Sequence, residues 1–271
     1  GQTNEEYNAY KMRATFYSIV GRTVTALTGI AVVADPIIEA PDEIRQLMSD
    51  APYGLQFDEL RYRALRDVQL VGRFGILIDS PQGETQDIGI QPYASEAIIN
   101  WDVDAKGKPT LVQLMEIVWL PDGSGNKQAV LRYRTLKLVE GVYTVTVEDA
   151  NNSTTSIQPK FGGNTIDFIP FYVTNPLGLG FDIEKIPMVD LVNLNLSHYR
   201  TSADLEHGRH FCGLPNPVIT GAEVSSGKMK IGGSKAWVLP EVGADAKYLE
   251  FTGQGLLSLE KALQEKESQL S

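Results

Sequence analysis

The segment Pro187–Gly213 constrains the fold more than any other part of this sequence. Proline suits the first position of a helix, because the N–H that it lacks would be unpaired there, and glycine suits the end of a helix. Pro215 and Pro217 follow and prevent the helix from continuing. The pattern therefore predicts one helix of about 25 residues, a rod of roughly 38 Å at 1.5 Å per residue.

The surface of this predicted helix has an unusual distribution of side chains. In its first half the apolar residues point around the whole circumference, and its second half is polar. The first half of such a helix needs other protein segments packed on more than one side, and the second half needs contact with water. Two interpretations stay open: a buried helix within one large core, or a helix that packs against copies of itself. The helix taken alone favours the first.

Composition excludes several classes of protein. The 271 residues suffice for one large domain or two small ones, and 24 basic against 34 acidic residues leave a net charge of −10. This charge argues against a basic face that grips nucleic acid. A single cysteine, Cys212, rules out an internal disulfide, and the apolar runs are shorter than the ~20 residues of a membrane span. Because the chain starts at Gly1 and stops inside a helical pattern, we expect it to be part of a longer protein.

Residues 1–181 have the pattern of one α+β module. A capping box at Thr3–Glu6 predicts a helix that continues to about Ile30. Further helices are predicted over 42–49 and 57–73, followed by a buried strand over 74–79 and a polar loop over 151–156. Period-two alternation predicts strands over Leu111–Leu120, Ala129–Val139, Gly141–Glu148 and Thr165–Thr174.

A compact β insert follows the long helix, with glycines at its turns. Its predicted strands are Val218–Thr220, Lys228–Ile231, Ala236–Leu239 and Lys247–Phe251. A second helix is predicted over Gln254–Ser271, because it has a clear apolar stripe that includes Leu259 and Leu263. The order is therefore module, long helix, β insert, returning helix.

Motifs for catalysis or metal binding are scarce. No Walker A sequence is present. His207 and His210 share a face of the long helix near Glu206 and Cys212, but a metal site needs three or four convergent ligands and the sequence offers no further one that we can name. We predict polar surface for these histidines and a small apolar role for Cys212. No catalytic residue, cofactor or metal is expected.

The remaining charged residues also suggest structural roles. Five carboxylates form no recognisable acid–base pair, and Asp102 and Asp104 precede a predicted surface turn. Four arginines are interpreted as a solvated face paired with acids, with a contact to a neighbouring subunit or to DNA as the alternative. The carboxylates are Asp58, Glu59, Asp79, Asp102 and Asp104, and the arginines are Arg61, Arg63, Arg66 and Arg73.

Several blocks of residues across nearly the whole chain resemble one family. They are Tyr7–Lys11, Gly72–Asp79, Ile98–Trp101, Asp167–Phe171, Asp190–Arg200, Ser202–Gly208 and Leu249–Gly255. In these blocks the sequence resembles the portal proteins of tailed bacteriophages. It is most similar to a divergent branch long catalogued as a phage domain of unknown function.

The resemblance implies a portal-like α+β fold. Residues 1–181 would be the wing, 182–213 a stem helix, 214–253 the clip and 254–271 the returning stem helix, with the chain stopping before a tunnel loop and crown. Residues that would pack the stem are Leu191, Leu194, Leu196, Leu259 and Leu263. Residues that would form a docking surface on the clip are Lys228, Lys230 and Lys235.

The resemblance also implies a role in the virion, at the portal vertex of the capsid, with assembly in the host cytoplasm. The subunits would form a dodecameric ring through which double-stranded DNA passes during packaging and ejection, without sequence specificity and without a membrane. Implied partners are the terminase large subunit, a head–tail adaptor and the major capsid protein. Two other hypotheses stay open: another phage connector or tail structural protein, and a metal-dependent enzyme that uses His207, His210 and Cys212.

Overall fold

The computed structural model of the protein describes residues 3–50, 55–79, 89–122, 124–149, 153–212, 216–221, 242–249 and 253–271. Its helices are α1 (Asn4–Arg13), α2 (Ile19–Val32), α3 (Asp42–Asp50), α4 (Phe57–Val71), α5 (Val189–Cys212) and α6 (Gln254–Leu270), with a 3-10 turn at Ser95–Ala97. Its strands are β1 (Phe74–Asp79), β2 (Gly89–Ala94), β3 (Ile98–Val103), β4 (Pro109–Pro121), β5 (Lys127–Val139), β6 (Val142–Asp149), β7 (Thr154–Ile157), β8 (Lys160–Phe161), β9 (Asn164–Thr165), β10 (Phe171–Asn175), β11 (Gly178–Leu179), β12 (Asn216–Thr220) and β13 (Asp245–Leu249). This mixture of helices and antiparallel strands confirms the predicted α+β class.

The chain divides into two compact units. One joins Gly1–Ile19 to Leu191–Ser271 and is here called the hairpin unit. The other is Val20–Asp190 and is called the sheet unit. The predicted module 1–181 therefore differs from the sheet unit at its start, since the first nineteen residues group with the long helices. The division into wing, stem and clip stays a prediction.

The sheet unit is built on two antiparallel sheets. One has the strand order β3-β4-β5-β6-β7 and the other has the order β11-β10-β1-β2. Both contribute to a single apolar core, in which Leu77 and Phe171 come from the four-stranded sheet and Val112, Leu114 and Leu136 from the five-stranded one. All five side chains are at most 1% exposed. The strands of both sheets alternate apolar and polar residues, and the apolar faces of the two sheets therefore pack against each other.

Two glycines explain how α4 connects to this core. Gly72 ends α4 with φ of 81°, and its N–H donates to the Val68 carbonyl, a left-handed cap that residues with a Cβ rarely adopt. Gly75 lies in β1, where a Cβ would meet Phe171 Cζ at 2.6 Å and Ile98 Cδ1 at 3.0 Å. The backbone of β1 is therefore in close contact with the side chains of the core.

The structure corrects four sequence predictions. The first helix ends at Arg13 and α2 starts at Ile19, because residues between them are extended and lay two aromatic side chains on α5. The predicted loop 151–156 contains the start of β7, which pairs with β6. The predicted strand 165–174 is two separate strands, since Pro170 precedes β10. Strands β2 and β3 were missed. Strand β2 has no regular alternation of apolar residues, whereas in β3 Ile99, Trp101 and Val103 do alternate with polar residues.

The hairpin unit contains α1, most of α5, the β12–β13 pair and α6. The capping box that was predicted at Thr3 is confirmed, since Thr3 and Glu6 exchange hydrogen bonds between side chain and backbone. The bounds of α5 and α6 lie within two residues of those predicted. Within the part of the chain that the structure describes, no helix combines the length and apolar character needed to cross a bilayer.

Candidate functional site: the helical hairpin

Helices α5 and α6 form an antiparallel hairpin held by side-chain links along its length. Near one end His198 Nε2 lies 3.3 Å from Glu267 Oε1, and Lys266 Nζ donates to the Ser197 carbonyl at 3.2 Å. Further along, Arg209 Nη2 donates to Glu260 at 2.7 Å. The partner numbers fall along α6 as they rise along α5, which is the signature of antiparallel packing.

The two helices approach closely at Gly208. A Cβ at this position would lie 2.5 Å from Leu256 Cδ2. This contact could not be predicted from the sequence, because an isolated glycine inside a helix also occurs at tolerated surface positions. Gly208 is therefore explained by the packing between α5 and α6.

The most buried side chains of α5 are largely polar. Asn195, His198, Ser202 and Leu205 recur at spacings of three, four and three residues, and each is at most 9% exposed. This spacing places them along one side of the helix. We call these four residues the α5 seam. Neither atom of the Asn195 amide has a hydrogen-bond partner among the residues that the structure describes.

Aromatic residues of the N-terminal segment cover the α5 seam and its neighbours. Tyr10 donates to Asp204 Oδ1 at 2.7 Å and packs edge-on against His207, with ring centroids 5.3 Å apart. Tyr17 lies 5.4 Å from the His198 ring, centroid to centroid. Burial and the Asp204 carboxylate raise the pKa of Tyr10 to about 12. The N-terminal segment is thereby attached to α5.

The five predicted stem residues are all within the described helices, and their role in packing between copies stays a prediction. Leu191, Leu194, Leu259 and Leu263 are partly buried, and Leu196 is 39% exposed. Sequence reasoning chose these leucines because they are apolar. It missed Asn195 and Ser202, although their spacing with His198 and Leu205 along the helix was available as a signal.

The residues of the enzyme hypothesis all lie in the second half of one helix. His207 and His210 lie on α5, and Cys212 is its last residue. Among the described residues there is no group of three or more His, Cys, Asp or Glu side chains that could hold a metal ion. A nearby polar cavity of about 390 Å³ is lined by His198, Glu206, Arg209, Glu260 and Glu267. Its arginine is engaged by Glu206 and Glu260, each at 2.7 Å.

The predicted clip is described only in part. Strands β12 and β13 pair antiparallel from Asn216 with Leu249 to Thr220 with Asp245. These match two of the four predicted strands. The other two, over 228–231 and 236–239, lie outside the described residues, as do Lys228, Lys230 and Lys235.

A partly buried charged cluster in the sheet unit was not predicted. Glu116 accepts hydrogen bonds from the Tyr93 hydroxyl at 2.6 Å, from Arg132 at 2.6 and 2.8 Å and from Arg134 at 2.8 Å. Arg134 also donates to Asp79 at 3.0 Å. Burial alone would raise the pKa of Glu116, but the Tyr93 hydroxyl and the two arginines lower it below its usual value. Arg132 and Arg134 alternate with Tyr133 along β5, so both arginines lie on the face of the strand opposite that tyrosine.

The other charged residues have structural roles, although two differ from their prediction. Asp104 accepts from the backbone N–H groups of Lys106 and Lys108 and so organises the predicted turn. Arg66 is half exposed and lies 3.4 Å from Asp67, as expected for a solvated, acid-paired face. Arg61 lies 3.5 Å from Asp58, but its side chain is only 18% exposed and donates to the carbonyls of Val32 and Ala34. Arg73 lies beyond the end of α4. Its guanidinium stacks 4.4 Å above the Trp101 ring and donates to the Ser95 hydroxyl and to the carbonyls of Ser95 and Ile98.

Comparison with known proteins gives one family match and several similar structures. A family model described as "Domain of unknown function (DUF4055)" matches residues 187–271. No curated protein matches the sequence significantly. A solved chain from the neck of an empty GTA particle with C6 symmetry is 15% identical, with 94% of this chain and 66% of that chain covered and a TM-score of 0.46.

Two further solved chains are similar to a comparable degree. One, from the virion of a native gene transfer agent (GTA) particle, is 15% identical over 95% of this chain and 66% of that chain, with a TM-score of 0.45. The other, from the neck of a native GTA particle with C12 symmetry, is 14% identical over 92% and 63%, with a TM-score of 0.43. This chain therefore spans about two thirds of the length of the solved chains it resembles.

Proposed function

We propose that this chain belongs to the portal subunit of a tailed bacteriophage, a structural protein without catalytic residues. Twelve copies would form a ring at one capsid vertex, with a central channel for DNA. The residue blocks that resemble portal proteins support this proposal. The match of residues 187–271 to a domain of unknown function is consistent with the divergent branch that those blocks resemble.

The observation that carries the proposal is the character of the helical hairpin. Its buried α5 seam is mostly polar, Asn195 lacks a hydrogen-bond partner among the described residues, and Leu196 remains 39% exposed. A polar seam contributes less hydrophobic free energy than an apolar one. Neighbouring copies around a ring would supply the missing contacts on the outer sides of the hairpin.

The charge of the chain suits a conduit for DNA. A net charge of −10 disfavours retention of DNA by phosphate contacts, so the duplex would pass without being held. In this proposal the wing is 1–181, the stem helices are 182–213 and 254–271, and the clip is 214–253. The clip would dock the terminase large subunit and the head–tail adaptor, and the outer wing would face the major capsid protein.

The decisive measurement is the mass and shape of the full-length protein in solution. Native mass spectrometry and negative-stain imaging are expected to find rings of twelve copies with a central channel. A protein that stays monomeric under all conditions tested would contradict the proposal. Rings found elsewhere than the capsid vertex in a virion reconstruction would instead favour another connector or tail protein.

A matched pair of substitutions tests the stem. Leu194→Asp would place a charge on a partly buried face, and an unpaired desolvated charge costs several kcal/mol. We expect ring assembly or folding to be lost. Asn193→Asp, at the exposed neighbouring position, should leave both intact. Normal rings from Leu194→Asp would mean that this face is not packed.

The docking role of the clip requires a separate test. Replacing Lys228 and Lys235 with glutamate should leave rings intact and weaken binding of the terminase large subunit or adaptor. Unchanged binding of both partners would contradict that role.

A further inference from the structure

The distal half of the β4–β5 hairpin projects as a two-stranded ribbon. Strand β3 pairs with β4 only between Pro109 and Leu114, and β6 pairs with β5 only between Arg132 and Val139. Beyond those positions, residues 117–121 of β4 and 127–131 of β5 pair with each other. Among the described residues no strand covers either outer edge of this segment. We call residues 117–121 and 127–131 the ribbon.

One face of the ribbon is apolar and exposed. Ile117 lies opposite Leu131, and Trp119 lies opposite Ala129, so these four side chains share a face. Met115 and Tyr133 continue the same face toward the body of the sheet. Ile117 and Trp119 are each 64% exposed, Leu131 is 39% exposed and Tyr133 is 38% exposed. Together they expose on the order of 400 Å² of mostly apolar surface, as large as the functional patches of typical monomers.

The β4 edge of the ribbon carries few of the features that usually protect an open edge. Residues 117–120 are Ile-Val-Trp-Leu, without a charge, and the proline and lysine of the ribbon, Pro121 and Lys127, pair with each other at its far end. Open edges of monomeric proteins normally carry lysines, prolines or bulges that prevent pairing with another strand. An unprotected edge beside an exposed tryptophan indicates a surface that is covered in the assembled protein.

A second unprotected edge exists in the same sheet. Strand β7 is Thr-Thr-Ser-Ile, its four residues are exposed, and it pairs on one side with β6. In the described part of the sheet no strand pairs with its other side. Among the described residues, the β4 edge of the ribbon over 117–120 and the outer edge of β7 are thus both open and uncharged, in a protein whose net charge of −10 makes copies repel.

We propose that the ribbon of one copy docks on the β7 edge of the neighbouring copy and extends its sheet. This inference rests on the ring proposed above and names the contact through which wings join. Because the two edges differ, the contact is head-to-tail, the type that closes rings rather than two-fold dimers. The exposed area is about half of the ~800 Å² that each partner of a stable interface buries, which suits one of several contacts in a ring.

Charge on the ribbon should weaken assembly. Trp119→Lys in the full-length protein is expected to lower the assembly constant per contact at least about tenfold, measured by mass photometry across a dilution series. The control is Ile37→Lys, which places the same charge on a side chain that is 94% exposed and lies outside the five-stranded sheet. It should assemble as the wild type does.

Disulfide trapping tests the contact without depending on stability. In a Cys212→Ser background, Trp119→Cys is combined with Thr155→Cys or with Ser156→Cys, which point to opposite faces of β7. Oxidation should convert one of the two combinations into a ladder of covalent multimers, because paired strands bring Cβ atoms within disulfide range. Ile37→Cys combined with Ser156→Cys should give no ladder.

The outcomes separate this inference from the proposed function. Wild-type rings that persist unchanged in Trp119→Lys, together with the absence of any ladder, would overturn the ribbon contact and leave the ring intact. A wild-type protein that forms no rings would overturn both. Loss of rings in Trp119→Lys with a ladder from the cysteine pair would support the contact, even if the lysine variant alone were poorly folded.

Discussion

The sheet unit and the hairpin unit bury different kinds of side chain. The core of the sheet unit is a contiguous apolar cluster from two sheets, and the partly buried Glu116 in the same unit accepts four hydrogen bonds from its neighbours. In the hairpin unit, the described side chains that are buried are Asn195, His198, Ser202, Ala203 and Leu205, three of which are polar. Among the described residues, the sheet unit therefore has a large apolar core, and the hairpin unit has a small core in which most side chains are polar.

This difference has a physical consequence for each unit. Apolar burial contributes roughly 25 cal/mol per Å² and needs no particular partner, so the sheet unit is expected to depend mainly on its own contacts. Hydrogen-bonded polar contacts contribute about 1 kcal/mol each but require defined geometry. The hairpin is therefore better suited to specifying the register of α5 and α6 than to supplying stability. Substitutions of buried residues should therefore lower the free energy of unfolding more in the sheet unit than in the hairpin unit.

The largest effect is expected at Phe171 in the core of the sheet unit. Phe171→Ala should lower the free energy of unfolding by about 3–5 kcal/mol, because it removes a 1% exposed ring and leaves a cavity beneath β1. Urea denaturation followed by circular dichroism measures the loss. Tyr172→Ala, one residue away and 44% exposed, should cost much less. Equal losses from the two variants would mean that the apolar core is not where the stability lies.

A smaller effect, dependent on pH, is expected at Glu116. Glu116→Gln should cost about 2 kcal/mol at neutral pH, because charge-assisted hydrogen bonds from two arginines are weakened. The pKa of Glu116 is lowered in the folded state, so its contribution is present above the unfolded pKa of about 4.3 and is lost as the pH falls through the folded value.

The variant should therefore be less stable than the wild type at pH 7 and converge with it in acid. The control is Glu148→Gln, which replaces an exposed carboxylate on β6. It should change the free energy of unfolding neither at pH 7 nor in acid. A constant difference between Glu116→Gln and the wild type from pH 7 down to pH 3 would refute the assigned role of Glu116.

An effect of opposite sign is expected in the α5 seam. Asn195→Leu should raise the free energy of unfolding of the monomer by about 1 kcal/mol, since it replaces a buried amide that lacks a partner among the described residues with an apolar side chain of similar size. Hydrogen exchange of amides in α5 and α6 localises the change. The control is Ser202→Ala, which also replaces a buried polar side chain of the α5 seam with an apolar one. Destabilisation of the monomer by Asn195→Leu would mean that the buried amide stabilises the hairpin or that leucine does not fit at this position.

The smallest effect is expected at Tyr10. Tyr10→Phe removes the hydrogen bond to Asp204 and should cost about 0.5–1 kcal/mol, detectable as faster exchange in α1. Ultraviolet titration of the wild type should include one tyrosine with a pKa of about 12, and that component should be absent from the variant. Tyr7→Phe, in the same helix and 50% exposed, serves as the control.

Local patterns predicted most helices and the long strands correctly. The capping box at Thr3 and the alternation along β4 and β5 act over a few residues, and the structure agrees with both, whereas α5 begins at Val189, two residues after Pro187. Strand β2 escaped prediction because its sequence does not alternate, and β3 was missed although Ile99, Trp101 and Val103 alternate with polar residues. The same reasoning found apolar leucines for the hairpin but not the polar residues that are buried there.

The α+β class and the order of helix, β segment and returning helix could be predicted from the residues alone. These properties depend on short-range periodicity and on turn residues. The burial of Asn195 and His198, the two arginines around Glu116 and the hydrogen bond from Tyr10 to Asp204 became known only from the packed chain. The partners in these contacts are separated by as many as 194 residues, so no local pattern specifies them, and they form only when the chain packs.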